Sequence, residues 1–108
     1  MKVQEKYYRL LKSGQKTVEL RLYDEKRKNI KVGDELTFEN LSDPTDFFIG
    51  VVTHLYRAGD FKELSETVSP LVAGFQSKED LVQTMATFYP LERQKAEGVL
   101  GIEIKIKK

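Results

Sequence analysis

A chain of 108 residues holds one domain around a modest core and leaves no room for a second. Hydrophobic residues make up 40% and charged residues 32%, as in ordinary globular proteins, and a net charge of +1 provides no broad basic field for nucleic acid. The lack of cysteine excludes disulfides, zinc ribbons and thiol catalysis, and no apolar stretch approaches the roughly 20 residues that span a bilayer.

In chain order, Val3, Tyr7, Leu10 and Leu11 recur at i, i+4, i+7 and i+8. That spacing predicts an amphipathic helix with Tyr7 in the core and Tyr8 freer. Lys12 suits the last turn and Gly14 a left-handed stop. A strand is expected over 16–22. Its alternation sets Thr17, Glu19 and Arg21 on one face and Val18, Leu20 and Leu22 on the other. Lys16 stands at the entrance of that strand, within reach of its polar face. Asp24 caps a short helical turn over 25–28, Val32-Gly33-Asp34 signals a turn, and 35–39 alternates as a half-buried strand.

Residues 40–46 are rich in turn formers and read as a loop or hairpin connection. The most apolar run, 47–56, is expected as a long strand in which Gly50 marks a bulge or bend. Asp60 and Glu63 have capping-box spacing for a helix over 61–66. Ser77 caps a further helix whose stripe is Leu81, Met85 and Phe88, and Pro90 ends it. Residues 92–97 read as a polar connection. The closing strand, 99–107, carries Leu100, Ile102, Ile104 and Ile106 on one face and Glu103 and Lys105 on the other. Strands joined by short turns and helices gathered elsewhere imply α+β, with the long bent strand suggesting a small mixed or antiparallel β-barrel flanked by helices.

The segment Gly14-x-Lys16-x-x-Glu19-x-Arg21 resembles the signature of the ASCH domain, a branch of the PUA-like β-barrels. The charged stretch Asp24-Glu25-Lys26-Arg27-Lys28, the turn Ile30-Lys31-Val32-Gly33-Asp34, Phe88-Tyr89-Pro90 and Gly98-Val99-Leu100-Gly101-Ile102 extend the resemblance over nearly the whole chain. Relatives usually begin with a short strand before the first helix, for which Met1-Lys2-Val3-Gln4 leaves only a stub. The resemblance implies a single ASCH domain over 1–108 with a cleft lined by Lys16, Glu19 and Arg21, supported by Thr17 and Tyr89. It implies RNA or a nucleoside- or nucleotide-like ligand, with no cofactor.

Some small members resembling this chain are amidohydrolases of acetylated cytidine nucleosides, and another is a ribonuclease. The amidohydrolase pattern needs a lysine, a threonine and a glutamate. Lys16 matches the lysine and would be the catalytic base, with Glu19 the tentative second catalytic group. The threonine position carries Glu19, and the glutamate position carries Gly74, with Glu79 the nearest acid. Glu19 would favour a charged ammonium on Lys16, which suits binding better than a free amine. A module that contacts only protein is the third reading.

Lys26, Arg27, Lys28 and Lys31 are the candidate contacts to a nucleic-acid backbone, continued by Lys12 and Lys16. About four phosphate contacts on a single strand give a log–log salt slope of roughly −3. Tyr7, Tyr8, Tyr23 and Tyr89 could stack on bases. His54 reads as a packed histidine, and Asp60, Glu63 and Glu66 as helix cap and face rather than metal ligands. The start of the chain shows no basic segment followed by an apolar block, so no signal peptide and a cytoplasmic location are expected.

Overall fold

The computed structural model describes residues Met1–Lys108. Its elements are β1 (Lys2–Val3), α1 (Glu5–Ser13), β2 (Val18–Leu22), β3 (Glu35–Asn40), β4 (Asp43–Ala58), α2 (Phe61–Thr67), α3 (Lys78–Phe88), α4 (Leu91–Glu97) and β5 (Val99–Ile106). The five strands form one sheet in the order β1-β3-β4-β5-β2, antiparallel except for the β1–β3 pair. The sheet curls into a half-barrel whose two outer strands, β1 and β2, do not pair. The expected α+β class, a small barrel-like mixed sheet flanked by helices, is observed, and the curl stays open along the β1–β2 seam.

The sheet divides two cores. Inside the curl, Phe38, Phe48, Val52, Leu100, Ile102 and Ile104 pack against Val3 and against Tyr8 and Leu11 of α1. On the outer face, Val18, Leu20, Leu22 and Val99 meet Phe61, Leu64, Phe75, Leu81 and Met85 of the helical layer. β5 is buried on both faces, which is why its sequence is apolar almost throughout.

β4 is a 16-residue strand that runs well past the expected bounds, and the 40–46 connection contracts to the tight turn at Leu41 and Ser42. Its bulge is not at Gly50. The register against β5 shifts between Val52 and His54, leaving Thr53 as the extra residue. That insertion inverts the alternation. Phe48 and Val52 face the inner core, whereas Tyr56 and Ala58 face the helices. Gly50 instead allows close packing, since a Cβ there would meet Ile104 Cδ1 at 2.9 Å and Phe38 Cε2 at 3.0 Å. His54 is exposed rather than enclosed, with its ring 4.2 Å from that of Tyr56.

The assignments of Tyr7 and Tyr8 exchange. Val3 belongs to β1, so the helix begins later than its stripe suggested and turns Tyr8 and Leu11 inward. The buried Tyr8 hydroxyl donates to Asp46 Oδ1 at 2.8 Å, as does Lys12 Nζ at 2.8 Å. These hydrogen bonds, Lys12 first, hold the Asp46 carboxyl down at about 2. Burial, and then the hydrogen bond to Asp46, pushes Tyr8 up to about 12. The network ties α1 to the β3–β4 hairpin.

Asp60 and Ser77 cap α2 and α3 as their spacing predicts, accepting from the backbone N–H of Glu63 and Asp80 respectively. The helix α4 was not anticipated, because 91–97 shows no apolar stripe. Tertiary hydrogen bonds anchor it. Phe61 N–H donates to the buried Gln94 Oε1 at 3.0 Å, and Gln94 Nε2 donates to the Tyr89 carbonyl at 2.8 Å.

Candidate functional site

Gly14 ends α1 at φ 83°, a left-handed conformation that glycine adopts without a Cβ penalty. The chain then reverses, and Lys16 N–H donates back to the Leu10 carbonyl. This turn delivers the Lys16 side chain beneath α1, at the open seam beside β2. Glu19 and Arg21 follow on the inner face of β2, opposite Ile102 and Leu100 in the antiparallel register.

Three charged side chains form one chain of contacts. Lys16 Nζ lies 2.9 Å from Glu19 Oε1. Arg21 Nη2 and Nε donate to Glu19 Oε2 at 2.8 and 3.0 Å. The same Nη2 donates across the seam to the Lys2 carbonyl at 2.7 Å, joining β2 to β1 where no strand pairing exists. The Lys16 and Glu19 side chains are only 4% and 5% exposed and Arg21 15%, so this is a buried ionic cluster. Burial alone would push the Glu19 carboxyl up, but Lys16 and Arg21 together override it and hold it below the usual carboxylate range. Burial acts against the Arg21 cation, and Glu19, with a further contribution from Tyr89, more than compensates. Two cations on one carboxylate leave the cluster with one net positive charge. Tyr89, which also lines the cleft, is the further neighbour of the Arg21 guanidinium.

The cluster forms one wall of a cleft of about 270 Å³ at the seam. Tyr7, Phe75, Met85, Phe88 and Tyr89 supply its apolar and aromatic surface, and Lys2 and Leu41 come from the opposite edge. Lys16 Nζ sits 4.9 Å from the Tyr7 ring centroid, a cation–π contact that fixes the ammonium at the cleft wall. Tyr7 also packs edge-on to Phe88 at 6.4 Å. The site therefore combines flat hydrophobic walls with a buried cationic end.

Lys16, Glu19, Arg21 and Tyr89 thus come together in one cleft, and Thr17 does not join them. Thr17 instead donates its backbone N–H to the Val72 carbonyl. Gly74, at the position of the amidohydrolase glutamate, has φ +91° and packs on the Lys16 stem. Glu79 is exposed in the first turn of α3, where it accepts from Gln83. Phe75 and Leu41 were not legible as cleft residues, and Tyr7, a stacking candidate by type, was assigned to the core. Tyr7 has a core residue's spacing, and Phe75 and Leu41 lie far from the motif in sequence.

The basic patch is partly neutralised. Arg27 pairs with Asp24 at 2.6 Å, Lys28 with Glu25 at 2.9 Å and Lys12 with Asp46 at 2.8 Å. Lys26 and Lys31 are exposed without an acidic partner. No group of acidic and histidine side chains is placed to hold a metal ion, and no helix is long and apolar enough to cross a membrane.

Residues 1–108 match the family model described as the ASCH domain. The crystal structure of hypothetical protein PH0355 is similar at 38% identity, with a TM-score of 0.86 over 99% of this chain and 96% of that one. The solution structure of protein PF0455 from Pyrococcus furiosus is similar at 32% identity, with a TM-score of 0.72 over 100% and 99%. None of the curated proteins matches this chain.

Proposed function

Because the chain belongs to the ASCH domain family, with the whole of 1–108 matched, we propose that it binds RNA or a nucleotide through the cleft at the β1–β2 seam. The observation that carries this reading is the Lys16–Glu19–Arg21 cluster opening onto aromatic walls. A nucleotide has the matching chemistry, a flat base joined to an anionic phosphate. The base lies against Tyr7, Phe88 and Tyr89, and the phosphate faces the net positive charge of the cluster at Arg21. A volume of about 270 Å³ falls just under the roughly 300–1,000 Å³ of sites for drug-sized ligands. One nucleotide therefore enters while the rest of a strand stays outside, where the exposed Lys26 and Lys31 are its candidate backbone contacts. The ligand is met in the cytoplasm.

Lys16 Nζ is already engaged by the buried Glu19 carboxylate, and Gly74 supplies no acid to complete the amidohydrolase pattern. Calorimetric titration with uridine 5′-monophosphate and a short oligouridylate tests the proposal. Saturable binding, weakened in Arg21→Lys because the forked donor set is lost, supports it. Release of acetate from N4-acetylcytidine, abolished in Lys16→Met, would replace it with the hydrolytic reading.

A further inference from the structure

The charged side chains point inward from β2, yet it is the edge of that strand that lies along the cleft. The antiparallel register pairs Glu19 with Ile102 and Arg21 with Leu100. Tyr23 N–H donates to the Gly98 carbonyl and Ile104 N–H to the Thr17 carbonyl. In an antiparallel ladder, alternate residues turn both backbone groups to the same neighbour. The Thr17 carbonyl and the backbone groups of Glu19 and Arg21 therefore face β5, as does Tyr23 N–H, and Val18, Leu20 and Leu22 turn N–H and C=O to the free edge.

Along that edge the two sides of Leu20 are blocked. Val18 N–H is taken by the Val72 carbonyl, and the Arg21 side chain crosses the seam to the Lys2 carbonyl. Between them, Leu20 lines the cleft, and no turn, loop or side-chain hydrogen bond reaches its backbone. The unpaired N–H and C=O of an edge strand are a ready template for a hydrogen-bonding partner, and a ligand entering the cleft meets them at Leu20.

We propose that the Leu20 backbone N–H and C=O read the edge of a heterocyclic base through its adjacent hydrogen-bond acceptor and donor, as one strand residue reads another. This rests on the nucleotide-binding reading and specifies how that site recognises its ligand. A ring lactam, such as the N3–H and neighbouring carbonyl of uracil, presents donor and acceptor side by side and coplanar. The aromatic walls hold such a ring flat against the edge. An extended peptide is the poorer occupant, because it needs a run of free backbone groups and this window offers one residue.

Amide NMR and equilibrium binding on the wild-type protein test this without altering the fold. In the free protein, the Leu20 amide should exchange with solvent faster than those of Glu19 and Arg21, which are held by β5. Uridine should shift and protect the Leu20 amide. 3-Methyluridine, which lacks the N3 donor but keeps both carbonyls, should bind roughly tenfold or more weakly. Equal binding of the two nucleosides, with the Leu20 amide unmoved, overturns the inference and leaves the nucleotide-binding reading standing. Failure of uridine, cytidine and their 5′-monophosphates to bind removes both. Protection of Leu20 by an unrelated extended peptide but not by uridine also overturns the inference.

Discussion

A Cβ added to Gly74 would stand 3.1 Å from Lys16 Cδ, on a backbone already at φ +91°. Glycine at this position is what lets the lysine stem lie flat under the loop and reach Glu19. Gly74→Ala should therefore cost about 1–2 kcal/mol from the left-handed backbone alone, with more if the Lys16 stem cannot yield. Gly74→Glu, which restores the acid of the hydrolytic pattern, should destabilise further and create no acetate release. Urea unfolding and an N4-acetylcytidine assay check both outcomes.

Glu19 is the only anion between two buried cations, so its loss matters more than the loss of either partner. Glu19→Gln should destabilise by about 3–5 kcal/mol, as expected when a buried charge loses its counter-ion. Lys16→Met should cost less, because the carboxylate keeps both hydrogen bonds from Arg21. Equal costs in thermal or urea unfolding would contradict this ranking.

The acid limb of stability should lean on Asp46. Its carboxyl is held at about 2 in the native state against an ordinary value of 3.8. A depressed native value adds stability above the unfolded value that is lost as pH falls through the native one. Melting temperature should therefore drop between about pH 4 and pH 2, with the lowered Glu19 carboxyl acting in the same direction. Asp46→Asn should flatten that drop, and an unchanged pH profile would argue against the α1–hairpin network.

The motif, the caps and the closing strand were legible because each is written in local sequence. Asp60 and Ser77 satisfy N–H groups three residues on, and Lys16, Glu19 and Arg21 lie within six residues of one another. What escaped depends on tertiary structure. Thr53 is an ordinary strand residue whose bulge appears only in the pairing with β5. Gln94 carries no stripe, and its helix is held by hydrogen bonds to Phe61 and Tyr89. Tyr7 and Tyr8 both fit an apolar periodicity, and only the late start of α1 decides which turns inward.

Salt dependence distinguishes a cleft from a basic track. With Lys12, Arg27 and Lys28 paired to acids, Lys26 and Lys31 are the free cations of the expected patch. With the phosphate held at the cleft, these make three phosphate contacts on single-stranded RNA and a log–log slope of roughly −2 instead of roughly −3. Lys26→Ala should make the slope shallower, while Lys12→Ala should leave it unchanged and lower stability instead.

The most direct measurement is an amide NMR titration of the wild-type protein with uridine 5′-monophosphate. Saturable shifts are predicted at Lys2, Tyr7, Lys16, Glu19, Leu20, Arg21 and Tyr89, the residues that surround the seam. Shifts confined to 26–31, or none at all, would contradict a nucleotide site in the cleft.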